Sequence, residues 1–157
     1  MLNNGGASSP LFHIVLIKPE IPGNTGSIGR TALALNAKLH LIHPLGFDLS
    51  EKSVRRAGLD YWKHVEIQEH RSLEDYLECN SGPLIFFSGR AEKSYLKAPY
   101  QNGCSLIFGS ESNGLDDSIK KEYSESLYKL PILSHHIRSL NLASIATAAS
   151  YECLKHC

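Results

Sequence analysis

The stretch Leu106-Ile-Phe-Gly-Ser-Glu-Ser-Asn-Gly-Leu115 joins an apolar run to a turn that is rich in glycine and serine. The apolar run is typical of a buried strand, and the turn that follows it carries one acidic residue, Glu111. In open α/β sheets, ligands bind outside the carboxyl ends of the strands, where small residues leave room for them. Composition alone is equally compatible with an ordinary strand-to-helix loop, so the rest of the chain decides the interpretation.

Apolar runs of strand type alternate with helical patterns along the chain. The predicted strands cover residues 12–17, 38–43, 65–67, 84–87, 104–108 and 126–130. The predicted helices cover residues 24–37, 50–57, 72–79, 116–123 and 141–156. Several of the strands are apolar throughout, which favours a mostly parallel sheet with helices on both faces.

The length of 157 residues predicts a single α/β domain, which we place at residues 11–157. Residues 1–10 are polar, rich in glycine and free of charged side chains, so we expect a disordered leader. No apolar run approaches the ~20 residues that span a bilayer, and we therefore expect no membrane association and a cytoplasmic location. Net charge is zero, so any nucleic-acid partner would have to bind local basic patches.

A second informative segment is Pro19-Glu-Ile-Pro-Gly-Asn-Thr-Gly-Ser-Ile-Gly-Arg30. Its glycines recur every three residues and share one face of the predicted helix, which Asn24 can cap. Such a face admits another backbone or a ribose-phosphate, and Arg30 on the next turn stays charged at physiological pH. A closely packed helix with a surface arginine is the alternative interpretation of the same pattern.

The third segment consists of Leu130-Pro131, then seven residues, and then Arg138-Ser-Leu-Asn-Leu142. Ser139 and Asn141 could each cap the last helix, whose N-terminus favours an electron-rich ligand. Capping alone would be a sufficient explanation for both residues.

The three segments, taken in order, resemble the signature motifs of the SPOUT class of RNA methyltransferases over about residues 11–155. The resemblance implies a C-terminal trefoil knot and S-adenosylmethionine as the cofactor, with no metal. It implies that Asn24 and Arg30 face the substrate ribose and phosphate as catalytic residues. Arg30 has been regarded as a general base in such enzymes, but its free pKa above ~12 makes phosphate positioning the easier role. The residues implied to bind the cofactor are Phe87, Gly109, Leu130, Ser139 and Leu140.

The segment Val54-Arg-Arg-Ala-Gly-Leu-Asp-Tyr-Trp62 mixes arginines, which bind phosphate, with aromatic rings, which stack on bases. A solvated helix end is the alternative. Within the SPOUT class the segment resembles the small subgroup that methylates the ribose 2′-hydroxyl of the tRNA wobble nucleotide, position 34. The resemblance implies a homodimer that places one subunit's Arg30 beside the other's cofactor and binds the anticodon stem-loop of tRNA-Leu. The residues expected to contact that RNA are Arg55, Arg56, Arg138 and Tyr151.

Three other functions are compatible with the sequence. The chain could methylate ribose at another tRNA position or in ribosomal RNA. It could be a non-catalytic protein that binds RNA or nucleotides and has kept the fold without turnover. It could also be a generic nucleotide-binding α/β protein, in which case it would not bind S-adenosylmethionine.

Overall fold

The computed structural model describes residues 8–56 and 59–157, without the side chains of Glu51, Val54 and Arg55. Most of the predicted leader lies outside the described residues, and so do Ala57 and Gly58 at the predicted end of the second helix. No helix among the described residues is long and apolar enough to cross a bilayer.

One parallel sheet forms the centre of the domain. Its seven strands are β1 (His13–Ile17), β2 (Lys38–Ile42), β3 (Ile67–His70), β4 (Leu84–Phe87), β5 (Lys93–Ser94), β6 (Ser105–Phe108) and β7 (Leu127–Lys129). Their order across the sheet is β3-β2-β1-β6-β4-β7-β5, and every neighbouring pair is parallel. The predicted strands are confirmed within two residues at each end, except that β3 extends three residues beyond the predicted end at residue 67, and β5 was not predicted because two residues give no apolar pattern.

Within the described residues, five α-helices surround the sheet: α1 (Pro22–Ala34), α2 (Glu51–Arg56), α3 (Leu73–Cys79), α4 (Asp117–Glu122) and α5 (Leu142–Leu154). The prediction that Asn24 caps α1 is wrong, because the helix begins two residues earlier, at Pro22. Proline fits the first helical position, since the N–H that it lacks would have no partner there. The cap predicted at Asn141 is confirmed, because its side chain accepts from the Ser144 N–H. Ser72 caps α3 in the same way, with its hydroxyl accepting from the Asp75 N–H.

Alternate residues of the central strands pack against helices on opposite faces of the sheet. Ile14 and Leu16 belong to the larger core, which includes Ile28 of α1 and Ala146 of α5. Val15 and Ile17 belong to a second core with Leu73 and Tyr76 of α3. The predicted parallel sheet with helices on both faces is therefore confirmed, and the trefoil knot stays a prediction of the family resemblance.

Helices α1 and α5 pack side by side on the larger core. The hydroxyls of Thr31 and Thr147 are 2.9 Å apart, which fixes the two helices to each other. At the other end of α5, Cys153 is fully buried, with its sulfur 3.5 Å from that of Cys104 at the start of β6. The predicted core position of Cys104 is confirmed, and the packing holds the N-terminus of α5 at the carboxyl edge of the sheet.

Three histidines form a hydrogen-bonded row across β1, β2 and β3. His13 Nδ1 lies 2.9 Å from His40 Nε2, and His40 Nδ1 lies 2.9 Å from His70 Nε2. Burial, together with the charges of its two neighbours and Lys38, lowers the pKa of His40 to about 2. Because burial disfavours the charged form, the central imidazole is neutral near neutral pH, and it then donates one of its two hydrogen bonds and accepts the other.

We expect acid to destabilise the fold through His40. The unfolded chain binds a proton near pH 6.5 whereas the folded chain does not, so stability is fully present above that pH and falls below it. One such histidine removes about 1.4 kcal/mol of unfolding free energy between about pH 7.5 and 5.5. Urea denaturation of wild type and His40→Gln across this range measures the effect, because glutamine does not titrate. An equal loss in the two proteins would contradict the assignment.

Candidate functional site

A cavity of about 620 Å³ opens at the carboxyl ends of β4, β6 and β7. Its floor includes Phe87 at the end of β4 and Phe108 at the end of β6, whose rings stack with centroids 4.6 Å apart. Because parallel strands all end at one edge, three distant parts of the sequence meet here. We refer to this space as the carboxyl-edge cavity.

The carboxyl-edge cavity brings together residues from all three segments that the sequence analysis singled out. Seven of the eleven predicted site residues line it: Asn24, Phe87, Gly109, Leu130, Arg138, Ser139 and Leu140. Ile132, Leu142 and Ile145 add apolar surface. The lining therefore combines apolar side chains with backbone and amide groups, as is typical of small-molecule sites.

Gly109 has no room for a side chain. A Cβ atom there would overlap the carbonyl carbon of Gly114, at the far end of the same turn. The turn is closed by two backbone hydrogen bonds between Ser110 and Gly114, and Gly114 has a φ of +65°, which favours glycine. The close approach brings backbone rather than side chains to this wall of the cavity.

Glu111 joins this turn to the start of α1. Its carboxylate accepts hydrogen bonds from the backbone N–H groups of Glu20 at 2.7 Å and Ile21 at 3.0 Å. The side-chain amide of Asn24 donates to the same carboxylate at 3.5 Å. Glu111 is therefore engaged in holding two loops together, which agrees with a role in ordering rather than in proton transfer.

Asn141 extends the connection to α5. Its amide nitrogen donates to the side-chain oxygen of Asn24 at 3.0 Å, while its own oxygen accepts from the Ser144 N–H at 3.2 Å. One side chain thus caps α5 and fixes Asn24. We refer to Glu111, Asn24 and Asn141, with the two backbone N–H groups, as the three-segment network.

Positive charge along the cavity comes from several parts of the chain. Arg138 was predicted to contact RNA, but the sequence analysis did not identify Arg90, Lys120 and Lys129, which also line the cavity. They lie in separate elements with no basic motif around them, so only the fold brings them together. The resulting surface suits a ligand or substrate that carries negative charge.

Arg30 does not line the carboxyl-edge cavity of its own chain. The side chain is exposed, and its guanidinium carbon lies 5.3 Å from the centroid of the Tyr61 ring. The Tyr61 hydroxyl donates to the backbone oxygen of Gly26 at 2.8 Å, so the ring that supports Arg30 is itself fixed on α1. The sequence analysis missed this positioning role of Tyr61.

Two of the repeated glycines of α1 are explained by packing. A Cβ at Gly26 would lie 3.0 Å from the Leu59 side chain, and one at Gly29 would lie 2.6 Å from the Trp62 ring. The packed-helix interpretation is therefore correct for these two positions. Two other predicted RNA contacts lie apart from the cavity lining: Arg56 is exposed on α2, and Tyr151 is 52% exposed on α5. The side chain of the remaining one, Arg55, lies outside the described residues.

Within residues 8–56 and 59–157, no group of three or more histidine, cysteine, aspartate or glutamate side chains is arranged to hold a metal ion.

Replacing Glu111 should loosen the junction between the turn and α1. In Glu111→Gln, an amide N–H faces two backbone N–H donors, so we expect a loss of about 1 to 3 kcal/mol in unfolding free energy. Chemical denaturation measures the change, and Glu122→Gln on the exposed end of α4 is the matched control. Equal stability of the two variants would show that the carboxylate contributes no such constraint.

Comparison with known proteins identifies the family. The model of the SpoU rRNA Methylase family matches residues 11–151. A protein from Lactococcus lactis subsp. cremoris is 40% identical over 148 residues, covering 91% of this chain and 88% of its own length. The tRNA (cytidine(34)-2'-O)-methyltransferase of Methylovorus glucosotrophus is 36% identical over 144 residues, covering 90% of this chain and 93% of its own length.

Solved structures agree with this match. One, described as giving insights into the 2-OH methylation of C/U34 on tRNA, is 41% identical, covers 94% of this chain and 97% of its own, and has a TM-score of 0.85. The SpoU methyltransferase AviRb of Streptomyces viridochromogenes, in complex with AdoMet, shares the fold with a TM-score of 0.79 at 22% identity, over 94% of this chain and 58% of its own. The chain belongs to the SpoU family of RNA methylases.

Proposed function

We propose that the protein transfers a methyl group from S-adenosylmethionine to the ribose 2′-hydroxyl of nucleotide 34 of tRNA. The observation that carries the proposal is the carboxyl-edge cavity, which is lined by residues of all three segments. The hydrogen bonds of the three-segment network join these segments to each other. Relatives of nearly the same length are named for, or described in connection with, methylation at this nucleotide. Within tRNA, we infer tRNA-Leu as the substrate and the anticodon stem-loop as the bound region.

The cavity fits S-adenosylmethionine in size and in lining. Its volume of about 620 Å³ lies within the ~300–1,000 Å³ range of cofactor pockets. The stacked rings of Phe87 and Phe108 and the side chains of Leu130 and Leu140 offer apolar surface to an adenine. The backbone at Gly109 and the hydroxyl of Ser139 offer hydrogen bonds to polar groups of the nucleoside.

The cofactor supplies an electrophilic methyl group, and the protein supplies alignment. Asn24, held between Glu111 and Asn141, presents a fixed amide at the cavity wall for the substrate ribose. Arg30 remains charged and binds a substrate phosphate, which holds the 2′-hydroxyl in line with the methyl group. Loss of the hydroxyl proton completes the transfer, and the group that accepts this proton is not assigned.

A homodimer is part of this proposal because Arg30 lies outside the cavity of its own chain. Leu33 of α1 is 40% exposed, and Tyr151 and Leu154 of α5 are 52% and 37% exposed. These residues form an apolar surface on the two adjacent helices, and Arg30 lies one turn before Leu33 on α1. A second copy packed on this surface would bring its Arg30 towards the first copy's cavity.

The RNA is expected to lie across both subunits. Arg138 at the cavity, with Arg55 and Arg56 of α2, supplies phosphate contacts, and Tyr151 offers a ring near the subunit boundary. A tRNA substrate agrees with a cytoplasmic location, which we include in the proposal.

The assay that tests this function transfers labelled methyl from S-adenosylmethionine to unmethylated tRNA-Leu and maps the modified nucleotide. We expect label on ribose 34 with wild type and about a hundredfold lower rate with Arg30→Ala, because loss of the phosphate contact would misplace the 2′-hydroxyl, and a misplacement of ~1 Å can cost about that factor. S-adenosylhomocysteine should bind both proteins equally. Arg30→Lys is the control for charge. Label at another tRNA position, or label only on ribosomal RNA offered in a parallel reaction, would refute the wobble assignment.

Mixed dimers test whether Arg30 acts across the subunit interface. Arg30→Ala lacks the arginine, and Gly109→Ala lacks the space at the cavity wall. In an equal mixture after subunit exchange, half of the dimers contain one subunit of each variant. Each mixed dimer has one site, out of two, in which an intact Arg30 faces a cavity with an intact Gly109. We therefore expect about a quarter of wild-type activity from two inactive proteins. No recovery of activity, with subunit exchange verified by mass spectrometry, would show that Arg30 acts within its own chain.

A further inference from the structure

A second cavity lies on the other side of α1 from the three-segment network. It has a volume of about 200 Å³ and is lined by residues of α1, the loop after β2, α2 and the segment 59–62. Its apolar walls come from Phe47, Leu49, Leu59 and Trp62, and its polar groups include Asp48 and Thr25. We refer to it as the α1 pocket; none of its lining residues belongs to the carboxyl-edge cavity.

The size of the α1 pocket limits what it can hold. At ~30 Å³ for each water molecule, 200 Å³ corresponds to six or seven waters, and it falls below the ~300 Å³ at which pockets for larger ligands begin. Two aromatic side chains, Phe47 and Trp62, line a space of this size. The pocket therefore suits one planar ring better than a flexible or bulky group.

Its polar groups select for hydrogen-bond donors. The carboxylate of Asp48 accepts from the Ser50 N–H at 2.8 Å and from the Ser53 hydroxyl at 3.2 Å. These bonds lower the pKa of Asp48, so the group is a charged acceptor at neutral pH and repels phosphate. Thr25 is 1% exposed, and its hydroxyl oxygen has no hydrogen-bond partner among the described residues. A buried hydroxyl without a partner is costly and would gain from a polar ligand.

The position of the α1 pocket relates it to Arg30. Trp62 lies against Gly29, and the Tyr61 ring beside it carries the guanidinium of Arg30. Thr25 and Arg30 are five residues apart on α1, which is about 7.5 Å along the helix axis. An RNA strand that binds Arg30 through one of its phosphates can therefore place one of its bases in the α1 pocket.

We propose that the α1 pocket binds one nucleobase of the RNA substrate, between Phe47 and Trp62, with Asp48 accepting from an amino or imino N–H on the base edge. The inference rests on the proposed function, because it takes RNA to be the substrate that Arg30 binds. Aromatic side chains stack on unpaired bases, and aspartate accepts from the exocyclic amine of cytosine. The pocket thus adds a base-reading site to the ribose and phosphate contacts.

The test is a cycle of binding measurements between protein variants and anticodon stem-loops that each carry one abasic nucleotide. Affinities of wild type, Phe47→Ala and Asp48→Asn are measured by fluorescence anisotropy, so turnover is not needed. With the intact stem-loop, Phe47→Ala should bind about tenfold more weakly, a factor within the range that stacking on one base contributes. At one loop position, the abasic substitution should weaken RNA binding by wild type about tenfold as well. The same substitution should have little further effect on RNA binding by Phe47→Ala.

Controls separate the pocket from general damage. Leu96→Ala removes an exposed apolar side chain elsewhere, and it should leave RNA affinity unchanged. All variants should bind S-adenosylhomocysteine like wild type, which shows that they fold. If Phe47→Ala fails to fold, Asp48→Asn provides a second binding cycle. Additive effects at every loop position in both cycles would overturn the inference.

Together with the methyl-transfer assay, the binding cycles separate this inference from the proposed function. Methyl transfer to ribose 34 with additive effects throughout would leave the function intact and remove the pocket. Coupling at one position without methyl transfer would support the pocket and refute the catalytic proposal. If wild type does not bind the stem-loop, both proposals fail.

Discussion

The carboxylate of Glu111 is the constraint on which the arrangement of the site depends. It accepts two backbone N–H groups at the start of α1 and the amide of Asn24, which in turn accepts from Asn141 at the start of α5. The partners in each of these hydrogen bonds are separated by about 90 to 120 positions in the sequence. A charge-assisted bond to backbone is stronger than a neutral one, so one acid can fix three segments whose own local structure is irregular.

The parallel sheet makes this convergence possible. The register pairs Leu16 with Phe108 and Phe87 with Phe108, so the strands β1, β6 and β4 end level with each other. The loops that follow them must share one edge, and the cavity opens where β4, β6 and β7 end. The close packing of α1 against α5 then brings two helix N-termini, and with them Asn24 and Asn141, to the same edge.

Apolar runs were enough to predict the sheet, because strands buried on both faces give a strong pattern such as Leu84–Phe87. Local signals also gave the caps at Ser72 and Asn141, whereas Pro22 overrode Asn24 at the start of α1. Contacts between residues that are distant in the sequence could not be predicted from local patterns. Nothing near Arg90, Lys120 or Lys129 indicates a shared surface, and nothing in the spacing of Gly26 and Gly29 indicates that Leu59 and Trp62 pack there.

We expect Asn24 and Asn141, which share a hydrogen bond at the cavity, to act as one unit in forming the proposed cofactor site. A double-mutant cycle with Asn24→Ala, Asn141→Ala and the double variant tests it most directly, with S-adenosylhomocysteine affinity measured by titration calorimetry. We expect the two losses to be non-additive by about 1 kcal/mol, since contacting residues of one network typically couple by ~0.5–3 kcal/mol. Losses that add within about 0.3 kcal/mol would contradict the account, because each residue would then act alone.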